Sequence, residues 1–206
     1  MSILKTSILF LVVLFLLPQY QLIFHQNQII HNDLCPHNIL LDLKTREVTF
    51  AGASFQKMTS RGRKRAVNPE LFEIPYAYTS PEQTGRINWT VDQRSDLYAL
   101  GVMFYETICK QIPFQADDVK TMIHHHLATE PESILKYRQD APVVVDQMIM
   151  KLLSKSPDDR YQSAFGLMQD LKNCQEQYSE EHRIEIFELG RQDNVDRFYI
   201  PSKLYG

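Results

Sequence analysis

Two residues with oxygen-bearing side chains stand five apart in the segment His31-Asn32-Asp33-Leu34-Cys35-Pro36-His37-Asn38. Phosphoryl transfer needs a carboxylate to take the proton of the attacking hydroxyl and a nearby oxygen ligand for Mg²⁺. Asp33 and Asn38 match those two needs in residue type and order. The same residues also suit a capped turn, in which short polar side chains bond the local backbone. The segment by itself leaves both readings open.

The elements around it follow from periodicity. Residues 19–31 read as the end of an apolar helix running into a loop. Ile39 to Asp42 and Glu47 to Phe50 are short β-rich runs split by Leu43-Lys44-Thr45-Arg46, which predicts a small hairpin. Residues 51–95 show no sustained period, and so long an irregular stretch is usually functional. A helix is predicted over Asp96 to Lys110, with Leu97, Leu100, Phe104 and Ile108 on one side. Val119, Met122, Ile123, His126 and Leu127 form an amphipathic stripe, and Val145, Met148, Ile149, Leu152 and Leu153 repeat its spacing. Ser163 is a candidate cap for a helix through Leu167, Met168, Leu171 and Cys174. Arg183 to Phe187 alternates like a strand.

Composition excludes several classes. The 206 residues are 44% apolar and 23% charged, with a net charge of −3. That balance is foreign to a disordered chain, a collagen repeat or a multi-span membrane protein. It also gives no general affinity for nucleic acid. Cys35, Cys109 and Cys174 are odd in number, widely spaced and without a C-x-x-C, so reduced thiols of a cytoplasmic protein are expected. Ile8 to Leu17 is an unbroken apolar run closed by Pro18. It is short for a membrane span, which takes about 20 residues. It lacks the small-residue cleavage site of a secretion signal. A remnant of a core helix and a membrane anchor are the two readings kept for residues 1–18.

Two other clusters are read as surface. Lys57, Arg61, Arg63, Lys64 and Arg65 suit a solvated loop, with the dock of an acidic partner or of nucleic acid as the alternatives. His124, His125 and His126 are consecutive, so on a helix they point about 100° apart and cannot share one ion.

Further signals fall in a fixed order after Asn38. They are Ser80-Pro81-Glu82, then Asp96-Leu97-Tyr98-Ala99-Leu100-Gly101 opening a helix, Ile112-Pro113-Phe114, and Asp159-Arg160-Tyr161. Together with the Asp33 segment, this series resembles the C-terminal lobe of a protein kinase over residues 19–178. Tyr76 to Arg86, Lys151-Leu152-Leu153 and Asp159 to Ala164 are similar to one bacterial group, the large multi-domain sensor kinases with a Ser/Thr-kinase-like domain in front. So are Phe187-Glu188-Leu189-Gly190, Phe198 to Pro201 and Lys203 to Gly206. The resemblance makes residues 179–206 a linker toward a following domain.

The resemblance implies a mainly α (α+β) fold with a small β-hairpin, ATP and Mg²⁺ as cofactors, and transfer of the γ-phosphate to a Ser or Thr hydroxyl. It makes Asp33 the base and Asn38 a Mg²⁺ ligand that also contacts the nucleotide site. It assigns Glu82 and Arg160 to a buried ion pair, and Asp96 to the backbone of the loop that holds Asp33. It also exposes departures. The Mg²⁺-binding Asp of a D-F-G motif is replaced by Phe50 in Phe50-Ala51-Gly52, Asn32 replaces a basic residue, and Cys35 replaces a lysine. The first glycine is Gly52, so the N-terminal lobe, with its Gly-rich loop and strand lysine, is expected to be missing. The expected function is that of a truncated, degenerate kinase domain, inactive alone and acting in docking or regulation. An active kinase with its N-terminal lobe supplied upstream or in trans is the alternative, and a membrane-tethered module is a third. Expected partners are a protein or that missing lobe, docking on an apolar patch near Ile39 to Leu41, and not nucleic acid.

Overall fold

The computed structural model describes residues 17–27, 29–42, 45, 47–51, 56–57, 76–181 and 183–193. The apolar run of residues 8–16 and the basic cluster of residues 61–65 lie outside them. Among the described residues, no helix is long and apolar enough to cross a membrane.

The described residues open with helix α1, Leu17–Gln26, in which Leu17 is fully buried. Strand β1, Ile29–Ile30, leads into the Asp33 segment, and a 3₁₀ turn at Pro36–Asn38 closes that segment. Pro36 suits the start of this turn because its missing N–H needs no partner there. The expected hairpin follows as β2, Ile39–Leu41, and β3, Val48–Phe50. These strands pair antiparallel, with Ile39 opposite Phe50 and Leu41 opposite Val48. A second antiparallel pair joins β1 to β4, Gln56–Lys57.

Helix α2, Gln93–Cys109, is the axis of the molecule. It starts three residues before the apolar pattern does. Asp92 caps it by accepting from Arg94 N at 2.9 Å, and the first turn is polar, so periodicity cannot see it. Lys110 ends it in a left-handed conformation at φ 61°. Leu97, Leu100, Val102, Phe104 and Ile108 are buried, so the helix is covered on all sides. Helix α4, Val143–Leu152, packs on it. The two approach closely at Gly101, where a Cβ would lie 2.7 Å from Leu152 Cβ.

Helix α3, Val119–Ala128, is capped by Asp118 and buries Met122 and His126. Helix α5, Ala164–Glu181, carries the expected stripe through Cys174, continues to Glu181 and packs against α1. Ser163 caps it, accepting from Gly166 N at 3.1 Å. The alternating stretch 183–187 is not a strand. Ile184 and Phe187 pack on the core while Ile186 is 64% exposed. The inward residues are therefore three apart rather than two, and they meet a helix rather than a sheet.

Candidate active site

The site is held by one residue in an unusual conformation. Asn32 has φ 64°, a left-handed value that Asn tolerates better than most residues. Both of its backbone polar groups are fixed from a distance. Asp96, buried in the first turn of α2, accepts from His31 N at 2.8 Å and from Asn32 N at 2.9 Å. Gln83 Nε2 donates to Asn32 O at 2.7 Å. Three hydrogen bonds from two separate segments thus over-determine one turn, as a strained backbone requires.

That turn aims Asp33. Asn38 Nδ2 donates to Asp33 O and to Asp33 Oδ2, each at 2.9 Å. Asp33 N donates to His31 Nδ1 at 3.3 Å. Burial pushes the Asp33 carboxyl up, and the Asn38 amide and the His31 charge only partly oppose it. A raised carboxyl is a better proton acceptor when ionised. Burial likewise pushes His31 down, against Asp96, Asp33 and the Ala51 backbone. Burial also raises the Cys35 thiol, which is 2% exposed. A buried thiol of raised pKa is an inert one. Beside Asp33 is a cavity of about 20 Å³ between Cys35, Tyr78, Thr79, Gln83 and Asp96, room for one water.

The surroundings of Asn38 test whether Mg²⁺ fits. Its amide nitrogen is directed at Asp33, which leaves the amide oxygen for a cation. Its backbone carbonyl accepts from Ala51 N at 2.8 Å, so the chain that returns past Asn38 does so at Ala51. Phe50 sits one residue earlier, in β3, with its ring 5.0 Å from Phe24 and 5.7 Å from His31. No Asp or Glu occurs between Glu47 and Glu70. A small hard cation needs a near-octahedral set of oxygens, usually with carboxylates among them. One amide oxygen, with Phe50 and Ala51 on the strand that returns past Asn38, does not fit that need. Among the described residues, no group of three His, Cys, Asp or Glu side chains could hold a metal ion.

A second constellation braces the first. Arg160 Nη1 and Nη2 donate to Glu82 Oε1 at 2.7 Å and Oε2 at 2.9 Å, with both side chains fully buried. The other donors of the guanidinium reach Ser154 O, Arg94 O and Lys155 O, so all five N–H groups are used. Its carbon lies 4.9 Å over the Tyr98 ring. Ser95 Oγ donates to Glu82 Oε1 at 2.6 Å. Burial alone would raise Glu82, but Arg160 and Ser95 outweigh it and hold the carboxyl below its ordinary range.

The structure therefore brings Asp33 together with Asn38, Asp96 with the backbone of residues 31–32, and Glu82 with Arg160. Among the described residues, no carboxylate other than that of Asp33 is bonded to Asn38. Gln83, which joins the two constellations, is a residue that sequence reasoning passed over. Its signal was present: Ser80-Pro81-Glu82-Gln83 has the spacing of a capping box. Ser80 N and Oγ indeed donate to Gln83 Oε1 at 3.0 and 2.9 Å. Tyr78, whose hydroxyl donates to Glu106 Oε2 at 2.6 Å, carried no such signal.

Comparison with known proteins agrees with this geometry. The family model of the protein kinase domain matches residues 22–174. The chain is 40% identical over 150 residues to hybrid signal transduction histidine kinase G of Dictyostelium discoideum, covering 63% of this chain and 4% of that protein. It is 33% identical over 152 residues to the serine/threonine-protein kinase PrkC of Bacillus subtilis, covering 73% of this chain and 22% of the relative. It is 32% identical over 147 residues to the serine/threonine-protein kinase PknB of Mycolicibacterium smegmatis, covering 71% and 23%. The chain thus spans less than a quarter of the length of these relatives. A domain match over most of the chain, with the Asp33 loop and the Glu82–Arg160 pair inside it, places this chain in the protein kinase family.

Proposed function

We propose that residues 19–178 are the helical C-terminal lobe of a Ser/Thr-type kinase domain that has lost its metal clamp and serves in docking or regulation. One observation carries this reading: Ala51 stands opposite Asn38 and Phe50 opposite Ile39, and no Asp or Glu occurs between Glu47 and Glu70. Kinases use ATP with Mg²⁺, and the metal neutralises charge that develops on the transferred phosphoryl group. Without the clamp a rate loss of about 10³-fold or more is expected. In this reading Asp33 holds the position of the base, and Asn38 that of a single remaining metal ligand. Glu82, Asp96 and Arg160 keep the scaffold. The apolar side chain of Leu40 on the hairpin, 58% exposed, offers a contact for a protein partner or an N-terminal lobe. Residues 179–206 lead toward a following domain, and the protein works in the cytoplasm.

A second reading, an active kinase completed by an N-terminal lobe upstream or in trans, is favoured by the intact Asp33–Asn38 contact. One experiment separates the two. The purified chain, alone and with a kinase N-terminal lobe added in trans, is assayed with labelled ATP, Mg²⁺ and a Ser/Thr peptide mixture. No transfer above that of the Asp33→Asn variant is expected in either condition. Transfer abolished by Asp33→Asn would establish the second reading instead.

A further inference from the structure

The stretch after α5 is fastened back along that helix by four polar contacts. Glu185 N donates to Gln177 Oε1 at 2.8 Å. Gly190 N donates to Asp170 Oδ2 at 2.7 Å, the same oxygen that the buried Tyr161 hydroxyl reaches at 2.6 Å. Asp193 then accepts Gln162 N on Oδ2 at 2.5 Å and Ser163 Oγ on Oδ1 at 2.6 Å. Ile184, Phe187 and Leu189 pack beneath. Asp193 thus places a carboxylate at the N-terminus of α5, where the helix dipole favours negative charge.

Two glycines make room for this path. Gly190 turns at φ 72°, with Tyr161 Cε1 4.0 Å and Lys151 Cε 3.5 Å from where a Cβ would be. At Gly166 a Cβ would sit 2.4 Å from Asp193 Cβ. The contacts end on a short run of consecutive residues. Gln162 and Ser163 hold Asp193, Tyr161 holds Asp170, and Arg160 holds Glu82. Gln83, next to Glu82, holds the carbonyl of Asn32.

The geometry points to residues 183–193 as a strap that couples the chain beyond residue 193 to the Asp33 loop. In the docked state Asp193 holds Gln162 N and the Ser163 hydroxyl, and Asp170 holds the Tyr161 hydroxyl, which pins residues 161–163. That fixes the guanidinium of Arg160, and through Glu82 and Gln83 the turn at Asn32. Displacement of the residues that follow Asp193 pulls its carboxylate from α5 and frees this run. The strap is a positional switch that works on the shape of the loop, so it goes beyond the proposed docking function and does not depend on whether any nucleotide binds.

Hydrogen exchange of the full chain tests it with two variants. Asp193→Ala removes the anchor. Gly166→Ala keeps the anchor but fills its seat, while alanine favours a helix more than glycine does. Loss of a helix cap of this type corresponds to about tenfold faster opening of the residues it holds. Both variants are expected to show about that acceleration at residues 161–166, and a smaller one at residues 82–85 and 31–34. Acceleration confined to residues 183–193, with residues 82–85 and 31–34 unchanged in both variants, overturns the coupling. So does acceleration in Asp193→Ala alone, because Gly166→Ala displaces the same carboxylate. Neither readout involves ATP, so failure of the proposed function leaves this test intact.

Discussion

Replacing Glu82 by Gln keeps the shape of the side chain and removes its charge. In the native protein the carboxylate accepts two guanidinium N–H groups and the Ser95 hydroxyl, in a place closed to solvent. An amide can accept at one end only. Its other end sets an N–H₂ group against an Arg160 N–H, and the guanidinium keeps a full charge with no counter-ion. Removing one partner of a buried pair costs about 3–5 kcal/mol, mostly as the penalty for the stranded charge. That is a large share of the 5–15 kcal/mol that holds a typical domain together. Urea unfolding of the wild type and of Glu82→Gln should therefore give midpoints well apart, with similar slopes. The double variant Glu82→Leu, Arg160→Met should recover much of the loss, because it leaves no buried charge. A second sign follows from the lowered Glu82 pKa. Its stabilisation is complete above the ordinary Glu value of about 4.3 and is lost as pH falls through the lower folded value. Glu82→Gln should remove that part of the acid sensitivity. A loss below about 1 kcal/mol for the single variant would show that the pair is not the brace inferred here.

Two further outcomes are expected. Gly101→Ala should destabilise, because overpacking against Leu152 at 2.7 Å costs about 1–3 kcal/mol and exceeds the helix-propensity gain of about 1 kcal/mol; a raised melting temperature would contradict the close crossing of α2 and α4. His126, bonded to Tyr98 Oη at 2.8 Å, is pushed down to about 3 by burial and then by the charges of Lys155 and His125. Between pH 6.5 and about 3 the unfolded chain therefore binds a proton that the folded one refuses, and stability drops by up to about 1.4 kcal/mol per pH unit. His126→Gln should flatten the pH dependence of the urea midpoint between pH 6 and 4.5, above the window of Glu82, and an unchanged slope would refute this.

Legibility from sequence followed the range of the interaction. The hairpin and helices α3 and α4 rest on local periodicity, and the apolar spacing placed them within a residue or two. The start of α2 escaped because Gln93, Arg94 and Ser95 are polar and the cap, Asp92, lies outside the stripe. Asp33 and Asn38 were readable as residue types, but the position of Asn38 opposite Ala51 required the strand register. Glu82, Asp96 and Arg160 are polar residues in a core, and nothing in local pattern tells a buried charge from a solvated one. Their pairing became visible through family resemblance only. The strap was misread as a strand because alternation over five residues cannot distinguish a sheet partner from a helix surface.

The contacts that shape the Asp33 loop also set a timetable. Gln83 lies 51 residues from the carbonyl it binds, Asp96 lies 65 and 64 from its two amides, and Arg160 lies 78 from Glu82. Each closes a long stretch of chain, and such closures are costly until the whole set can form together. A nascent chain that has not reached residue 160 carries Glu82 without its cation, so the segment that holds Gln83 against Asn32 is not yet braced. The bracing of the Asp33 loop is therefore completed only after residue 160, well after the loop itself is synthesised. Until residues 143–152 are made, the apolar surface of α2 also lacks the cover of α4. Synthesis of this domain thus passes through a stage in which a chaperone or a neighbouring chain competes for the faces that its own C-terminal third later claims.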